Sequence, residues 1–257
     1  MQKPFSYPTK PSSPAFSQRH GAHGHPLPVS QRTLNFIKEA LREDIGAGDI
    51  TSNLLVPSRA KGTARIIAKE NGIFCGERLA MELFKIADSA VKLEFRVHNG
   101  HRFRKGQVIF KMHGNIRSLL KVERTLLNFI SHLSGIATKT RQFVEKVKKY
   151  PVLILHTRKT TPLWRELEKV AVEVGGGRRH RPGLDAYILV KENHRLYGGL
   201  AKLKSRPRDF EIEVRNRKEL REAIGLKPKV ILLDNFALNE VRRVVGIIRK
   251  EAPGVII

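Results

Sequence analysis

The chain of 257 residues carries 49 Lys and Arg against 24 Asp and Glu, which gives a formal net charge of +25. This length allows one large domain or two modest ones with an ample core. Such a basic excess indicates nucleic acid, an anionic surface or small anionic substrates as partners. Because the excess is spread along the whole chain and aromatic residues make up only 7%, nucleic-acid binding is the less favoured of these alternatives.

The cysteine and hydropathy content indicates a protein of a reducing compartment. Cys75 is the single cysteine, so an internal disulfide framework is excluded. It lies in an apolar stretch, which favours a buried side chain over a reactive thiol. No run of eighteen or more apolar residues occurs, so no membrane span is predicted. We therefore expect a cytoplasmic protein.

The N-terminal part of the chain is predicted to be a tail followed by a capped helix. Residues 1–28 hold six prolines and no acidic residue, a composition typical of disorder. Residues 30–45 follow with the apolar spacing of a helix, which Ser30 can cap and Gly46 can end. Asp49 is expected to cap the next turn.

Residues 29–114 are predicted to form a small α+β domain. An Asn-Gly pair at 71–72 is a hairpin signal between the candidate strands Thr63–Ala68 and Ile73–Cys75. A helix is predicted over Glu77–Ile86. A second Asn-Gly pair, with a longer basic loop, lies between the candidate strands Val91–Val97 and Gln107–Lys111.

Residues 115–257 are predicted to form the second domain. It opens with helical sequence over 115–148, which we expect in two pieces broken near Ser134 and Gly135. Arg124 lies in the first piece, on what reads as an ordinary helix surface.

Three predicted strands in the stretch 152–194 each end in cationic groups. The first, Val152–Leu155, is followed by Thr157, Arg158 and Lys159. The second, Ala171–Val174, is followed by three glycines and then by Arg178, Arg179, His180 and Arg181. The third, Ala186–Val190, is followed by Lys191, Glu192, Asn193 and His194. Between the first two, Pro162 is expected near the first turn of a helix whose apolar face includes Leu163, Leu167 and Val170.

Cationic groups at successive strand ends suit the recognition of a small polyanion. The carboxyl ends of strands are where α/β folds build their sites, and Arg and Lys bind carboxylate and phosphate. A dicarboxylate, a phosphorylated sugar, or both, would match this much charge. The alternative is a solvated basic face, since Lys and Arg are usually exposed. The three glycines allow close approach of a ligand, although a glycine run is a weak signal.

Two acidic strand ends follow. The candidate strand Phe210–Val214 carries Glu211 and Glu213 on the same side, and Lys229–Leu233 ends in Asp234. Carboxylates at successive strand ends suit Mg²⁺ or ribose hydroxyls. The alternative is that they neutralise the Arg and Lys cluster. A helix over Leu238–Lys250 and a further strand from Val255 complete the predicted elements.

Several of these motifs resemble the quinolinate phosphoribosyltransferase family. The resemblance covers residues 30–257 and lies in Thr157-Arg158-Lys159-Thr160-Thr161-Pro162, Gly175-Gly176-Gly177, His180-Arg181, Gly183-Leu184 and Lys191-Glu192-Asn193-His194. It implies a small N-terminal α+β domain followed by a parallel α/β barrel. The family continues past the strand at Val255, so the resemblance implies an open, incomplete barrel that lacks its last strand-helix units. We expect a truncated product or one that depends on a partner for stability.

The resemblance also implies a reaction and its residues. The reaction is phosphoribosyl transfer from phosphoribosyl pyrophosphate to quinolinate with decarboxylation, in NAD biosynthesis. The implied catalytic residues are Lys159, Lys191, Glu213 and Asp234, the last two also binding Mg²⁺. The implied substrate-binding residues are Arg124, Thr157, Arg158, Lys159, His180, Arg181, Lys191, Glu213 and Asp234. Arg124 is implied to act across the interface of a homodimer.

Departures from the family pattern leave alternatives open. His156 stands where the family usually has Asp, Leu163 and Trp164 where Gly and an apolar residue are usual, and Arg179 where Asn is usual. A histidine in place of this aspartate also resembles the pattern of a molybdenum-transport-associated sister branch of the family. The alternatives are therefore such a homologue, an inactive truncated homologue, and a basic nucleic-acid-binding protein.

Overall fold

A computed structural model describes residues 29–205 and 209–257, which form two compact units, 29–180 and 181–257. The predicted tail at 1–28 lies outside the described residues. The helices are α1 Gln31–Ile45, α2 Ile50–Leu55, α3 Glu77–Ala87, α4 Ile116–Val147, α5 Arg165–Val174, α6 Glu192–Tyr197, α7 Arg217–Gly225 and α8 Leu238–Glu251. The strands are β1 Lys61–Ile67, β2 Gly72–Ile73, β3 Lys92–Phe95, β4 Arg102–Phe103, β5 Val108–Asn115, β6 Ile188–Val190, β7 Phe210–Val214 and β8 Val230–Leu233.

The N-terminal helices begin where the sequence indicates. Ser30 caps α1 by accepting a hydrogen bond from the Thr33 amide, and Gly46 ends it. Asp49 caps α2 in the same way, accepting from the Ser52 amide. Both predicted caps are confirmed. They could be predicted because each is a short side chain that accepts a hydrogen bond from an amide group in the first turn of its own helix.

The first unit contains an antiparallel sheet in which β5 lies between β1 and β3. The predicted pairing of Val91–Val97 with Gln107–Lys111 is confirmed. The predicted hairpin of Thr63–Ala68 with Ile73–Cys75 is wrong, because β1 pairs with β5 while β2 pairs with β4. The Asn-Gly signal reports a local turn, whereas burial of each strand against a distant partner decides the pairing.

The long helix α4 is continuous over 32 residues, so the predicted break near Ser134 and Gly135 is wrong. Ser134 faces the core, where its hydroxyl accepts a hydrogen bond from the Cys75 amide and donates to the Cys75 carbonyl. Cys75 itself is 1% exposed, which confirms the prediction of a buried cysteine. A helix tolerates one glycine at a cost of about 1 kcal/mol when packing supports its flanks.

The helix α5 replaces the predicted second strand. Residues 171–174 form its last turn, so the strand Ala171–Val174 is wrong. The helix begins at Arg165, later than the motif at Pro162 indicates, and Leu163 is 68% exposed with a φ of 68° rather than on its apolar face. Burial of Ala171 against α4 outweighs the strand preference of the valines around it.

The second unit contains a parallel sheet in the order β6, β7, β8. All five residues of β7 are buried, as is usual for the central strand of a parallel sheet. Its two glutamates, Glu211 and Glu213, are therefore buried charged groups. The predicted strands Phe210–Val214 and Lys229–Leu233 and the helix Leu238–Lys250 are confirmed within one residue at each end. Ile256 forms a parallel bridge with Val230. The predicted division at residues 114 and 115 remains a prediction.

Candidate active site

The first group of site residues follows a short parallel pairing in the first unit. Leu155 forms a parallel bridge with Arg178, and the flanking backbone bonds are His156 N to the Arg178 carbonyl at 3.1 Å and Arg178 N to the Ile154 carbonyl at 2.8 Å. The predicted strand at 152–155 is thus reduced to one bridge. This pairing still fixes the point at which Thr157 begins the cationic loop.

The loop after this bridge, residues 157–161, is held by hydrogen bonds at both of its ends. Thr157 Oγ1 accepts a hydrogen bond from the Lys159 amide at 3.1 Å. Farther along, the Thr161 amide donates to Glu168 Oε2 at 3.2 Å, and Glu168 Oε1 lies 2.9 Å from His132 Nε2 on α4. Trp164 packs its ring 4.8 Å from the Phe129 ring. These contacts hold Arg158 and Lys159 in a fixed loop between α4 and α5.

His156 is buried directly before this loop and is 6% exposed. Its Nδ1 is buried and has no hydrogen-bond partner within residues 29–205 and 209–257. Burial lowers the pKa of His156 to about 4, and the nearby charge of Lys169 lowers it further, with smaller effects from His180 and Arg179. His156 is therefore neutral at pH 7.

Lys169 on α5 is the residue that the sequence analysis missed in this group. It is 8% exposed. Burial, and then the charges of Arg165 and Arg158, lower its pKa to about 8, while Glu173 acts in the opposite direction. Charged side chains are seldom buried, so the residue type gives no indication that Lys169 is buried. Only its position near Ala171 in an amphipathic helix could have indicated this burial.

Arg158 is the predicted residue that is best prepared to receive an anion. Its Nε is buried and, across the part of the chain that the structure describes, has no hydrogen-bond partner. Its charge interacts with that of Lys169, and His180 lies close enough to His156 to affect its pKa. The predicted residues Arg158 and His180 thus add positive charge beside Lys169 and His156, and Thr157 and Lys159 adjoin Arg158 in the loop.

The glycine run serves packing. A Cβ on Gly175 would lie 2.6 Å from the Ala137 carbonyl oxygen of α4, and a Cβ on Gly177 would lie 2.5 Å from Val172 Cγ1. Gly176 has a φ of 98°, which favours glycine. The close approach that these glycines allow is therefore between α4 and the end of α5.

The second group of site residues belongs to the second unit. Lys191 directly follows β6, and its Nζ lies 2.8 Å from Glu213 Oε2 of β7. Glu213 is 8% exposed. The ion pair shows that Glu213 neutralises a cation, which is the alternative raised for it above. The Lys191 amide also donates to His194 Nδ1 at 2.9 Å, which fixes the start of α6.

Asp234 lies at the end of the neighbouring strand. Its amide donates to the Val214 carbonyl at 2.9 Å, which extends the β7–β8 pairing by one step. Glu213 pairs with Leu232, so the alternation of side chains places Asp234 on the same face as Glu213. Asn235, with a φ of 57°, donates to Asp234 Oδ2 at 3.0 Å.

This carboxylate pair can serve Mg²⁺ only together with other ligands. Within the described residues, no group of three or more His, Cys, Asp or Glu side chains could hold a metal. Mg²⁺ in enzymes that use phosphorylated substrates is usually bound by one or two carboxylates and completed by phosphates and water. The donor set of Glu213 and Asp234 fits that arrangement.

Arg181 begins the second unit and is 4% exposed. Its guanidinium carbon lies 6.0 Å from the centroid of the Tyr187 ring. The Tyr187 hydroxyl donates to Glu211 Oε2 at 3.1 Å. Tyr187 carries no functional signal in the sequence, because an aromatic residue before a strand is normally a core residue.

Arg124 is exposed on α4. With Leu120, Leu127 and Trp164 it lines a groove of about 1450 Å³ that runs along α4 and β1. Leu120 is 44% exposed and Ile67, at the end of β1, is 42% exposed. This groove presents apolar side chains beside a cation.

These elements define an α/β protein with cationic groups after β6 and after the bridge at Leu155. Family models described as the N-terminal and the C-terminal domain of quinolinate phosphoribosyl transferase match residues 49–134 and 136–257. The chain belongs to the quinolinate phosphoribosyl transferase family.

Its relatives agree in name. A probable nicotinate-nucleotide pyrophosphorylase (carboxylating) of Synechocystis is 37% identical over 85% of this chain and 76% of the relative. One from Bacillus subtilis with the same name is 39% identical over 78% of this chain and 72% of the relative. The solved nicotinate-nucleotide pyrophosphorylase of Francisella tularensis superposes with a TM-score of 0.79 at 37% identity, covering 88% of this chain and 82% of that one.

The structural match confirms the predicted fold class, an N-terminal α+β part followed by an α/β barrel part. The predicted membership of the family is confirmed as well. Among the helices in residues 29–205 and 209–257, none is long and apolar enough to span a bilayer.

Proposed function

We propose that the protein transfers the phosphoribosyl group of phosphoribosyl pyrophosphate to the ring nitrogen of quinolinate. The bond between the ribose and pyrophosphate breaks and a bond to the ring nitrogen forms. The ring then loses one carboxylate as CO₂ and its carbon takes up a proton, which gives nicotinate mononucleotide. The names and identities of the relatives support this activity.

The observation that carries the proposal is the prepared strand end at Arg158. A buried guanidinium nitrogen without a partner among the described residues, next to a buried lysine, is costly unless an anion completes it. A ligand carboxylate supplies the missing acceptor and the opposite charge. Arg is suited to this because its planar fork matches a carboxylate.

The remaining residues receive roles from their chemistry. We assign Arg181 and His180 to the carboxylates of quinolinate, and the Thr157 hydroxyl and Lys159 to its orientation. Lys191 would neutralise anionic oxygens at the reacting centre. Glu213 and Asp234 would bind the ribose hydroxyls and stabilise the positive charge that develops on the ribose as pyrophosphate leaves. Positioning of the two substrates supplies much of the rate enhancement in such a reaction.

Glu213 and Asp234 are also the residues that we propose to hold Mg²⁺. When bound, the ion would neutralise the pyrophosphate oxygens and so favour their departure. Because Lys191 already pairs with Glu213 at 2.8 Å, binding of the substrate would require that pair to share or exchange its contacts.

We further propose that the protein acts as a homodimer in the cytoplasm, with Arg124 reaching the substrate of the partner. The exposed apolar side chains beside Arg124 in the α4 groove favour an interface there, since such patches mark interaction sites. The dimer can be tested by mixing two variants, Arg124→Ala and Lys159→Ala, that are inactive alone. If Arg124 acts across the interface, about half of the dimers in an equal mixture contain one chain of each variant, and one of the two sites in each such dimer is intact. The mixture should therefore regain about a quarter of wild-type activity. If the mixture stays inactive while the variants exchange subunits, Arg124 acts within its own chain.

The activity itself is tested by release of labelled CO₂ from quinolinate that carries the label in its carboxyl groups. We expect release that requires both phosphoribosyl pyrophosphate and Mg²⁺. Arg158→Ala should raise the quinolinate KM and lower kcat, together by ~10²–10³ in kcat/KM. Arg32→Ala, at an exposed position of α1, is the matched control and should behave as wild type.

Two results would count against the proposal. Well-folded wild-type protein that releases no CO₂ would exclude the activity. Arg158→Ala with unchanged kinetics would remove Arg158 from the site.

A further inference from the structure

The second unit holds a cavity whose wall includes an arginine supported by a tyrosine. The cavity has a volume of about 360 Å³, and its charged and polar lining consists of Arg181, Tyr187, His194 and Lys202. A cavity of this size is at the small end of those that bind ligands in proteins. The rest of the lining is apolar or glycine, so the two cations, Arg181 and Lys202, would give an anion its main polar contacts there.

Arg181 is 4% exposed, and burial of its charged guanidinium costs free energy unless neighbouring groups stabilise it. The Tyr187 ring lies at 6.0 Å from the guanidinium carbon, within the range of a cation–π contact. Such a contact strengthens when the cation is removed from water, and it involves the flat face of the guanidinium rather than the N–H groups at its edge. A flat aromatic support therefore suits an arginine that must also bind a carboxylate.

The Tyr187 ring is itself fixed by a buried acid. Its hydroxyl donates to Glu211 Oε2 at 3.1 Å, and Glu211 is 2% exposed. Glu211 pairs with Leu189 of β6 in the parallel register, so Tyr187, two residues before Leu189, lies on the same face of the sheet as Glu211. This hydrogen bond to a carboxylate fixes the position of the hydroxyl end of the ring and so restricts its displacement from Arg181.

The same face carries the ion pair of Lys191 with Glu213. Tyr187 and Lys191 flank β6 at its two ends, and each contacts one of the two glutamates of β7. The two glutamates thus have different tasks. Glu213 contacts a lysine that is proposed to act on the reacting centre, whereas Glu211 accepts a hydrogen bond from Tyr187, whose ring lies against Arg181.

We propose that Tyr187 is a positioning residue for Arg181, and that Glu211 fixes Tyr187 in that role. This inference rests on the proposed function, since it takes Arg181 to bind a carboxylate of quinolinate. Tyr187 touches no substrate in this account. Its ring holds the guanidinium at the wall of the cavity in the orientation that a planar carboxylate requires.

The test compares Tyr187→Leu, which removes the ring, with Tyr187→Phe, which keeps the ring and removes the hydrogen bond. We expect Tyr187→Leu to raise the quinolinate KM by about tenfold, the size of a desolvated cation–π contact, with the KM for phosphoribosyl pyrophosphate unchanged. Tyr187→Phe and Glu211→Gln should give smaller increases. Tyr197→Leu is the matched control, because Tyr197 lies in the same unit and is 92% exposed.

A second readout does not depend on activity. Phenylglyoxal modifies accessible guanidinium groups, and peptide mass spectrometry reports the rate at each arginine. In the wild type Arg181 should react far more slowly than exposed Arg32, and Tyr187→Leu should raise the rate at Arg181 alone. Melting temperatures identify any variant that fails to fold, in which case Tyr187→Phe and Glu211→Gln decide the comparison.

The outcomes separate this inference from the function on which it rests. An unchanged quinolinate KM in a folded Tyr187→Leu protein, an equal rise in both KM values, or an unchanged modification rate at Arg181 would each overturn the role of Tyr187. Wild-type protein that releases no CO₂ would overturn the proposed function instead, and the modification rates would still decide whether Tyr187 holds Arg181.

Discussion

Acidification should destabilise the protein through one buried histidine. His156 is 6% exposed, and burial together with Lys169 lowers its pKa to about 4 from an ordinary 6.5. Because the folded state disfavours the charged form, the stabilising effect of neutral His156 is fully present above pH 6.5. It is lost as the pH falls from 6.5 to about 4, since the unfolded chain then binds a proton that the folded chain does not.

The size of the effect follows from the shift. A difference of about 2.5 pKa units at 1.36 kcal/mol per unit corresponds to roughly 3 kcal/mol of unfolding free energy. That is a large part of the stability of an ordinary domain, which amounts to about 5–15 kcal/mol. The loss should therefore appear as a clear fall in the urea midpoint over this pH range.

The assay is urea unfolding of the wild type and of His156→Gln at a series of pH values from 7.5 to 4.5. His156→Gln cannot take up a proton at this position, so the difference in unfolding free energy between the two proteins should shrink or change sign as the pH falls. His101→Gln, at an exposed position, serves as the control and should follow the wild type. A difference between the wild type and His156→Gln that stays constant from pH 6.5 to 4.5 would refute the reasoning.

Two further predictions concern the elements around this histidine. Lys169→Met should raise the unfolding free energy at pH 7 by about 1–3 kcal/mol, because the folded state lowers the pKa of Lys169 to about 8 and so disfavours its charged form. Chemical denaturation measures this gain. A loss of stability would show that the charge of Lys169 is well compensated. Gly177→Ala should lower the melting temperature, since the added Cβ would lie 2.5 Å from Val172 Cγ1 and overpacking typically costs about 1–3 kcal/mol; Gly246→Ala, where nothing lies within 4 Å of the added atom, is its control.

Local signals were sufficient for the elements that are fixed by their own residues. The cap at Ser30, the stop at Gly46 and the strand Phe210–Val214 follow from short-range chemistry, and the structure has all three. The cap and the stop satisfy backbone groups within one turn, and Phe210, Ile212 and Val214 give the strand its apolar alternation. Such features need no knowledge of a distant partner.

Pairing and burial could not be derived in the same way. The strand β1 selects β5, more than 40 positions away along the chain, over the neighbour that the Asn-Gly turn indicates. The valines around Ala171 favour a strand by propensity, yet the segment packs as the end of α5. In both cases a contact of high sequence separation decides the outcome, and a single sequence records such contacts only indirectly.

The site divides along the same line. The cationic groups at Arg158 and Lys191 could be found because each follows a predicted strand, and the structure places Lys191 at the end of β6 and Arg158 shortly after the bridge at Leu155. The residues that support these groups were missed. Lys169 and Tyr187 act through burial and through neighbours far away in the sequence, and each belongs to a residue type whose ordinary roles are elsewhere.

His156 connects the stability of the protein with its charge. A carboxylate at this buried position would neutralise Lys169 and weaken the positive potential around Arg158. Neutral His156 leaves that potential undiminished, and burial prevents the histidine from adding a charge of its own at pH 7. The chain therefore keeps a lysine whose charge costs stability and an arginine nitrogen without a partner among the described residues. The cost of the arginine nitrogen is relieved when an anion binds beside Arg158, so the binding of substrate should stabilise this protein more than it would a protein in which that nitrogen already has a partner.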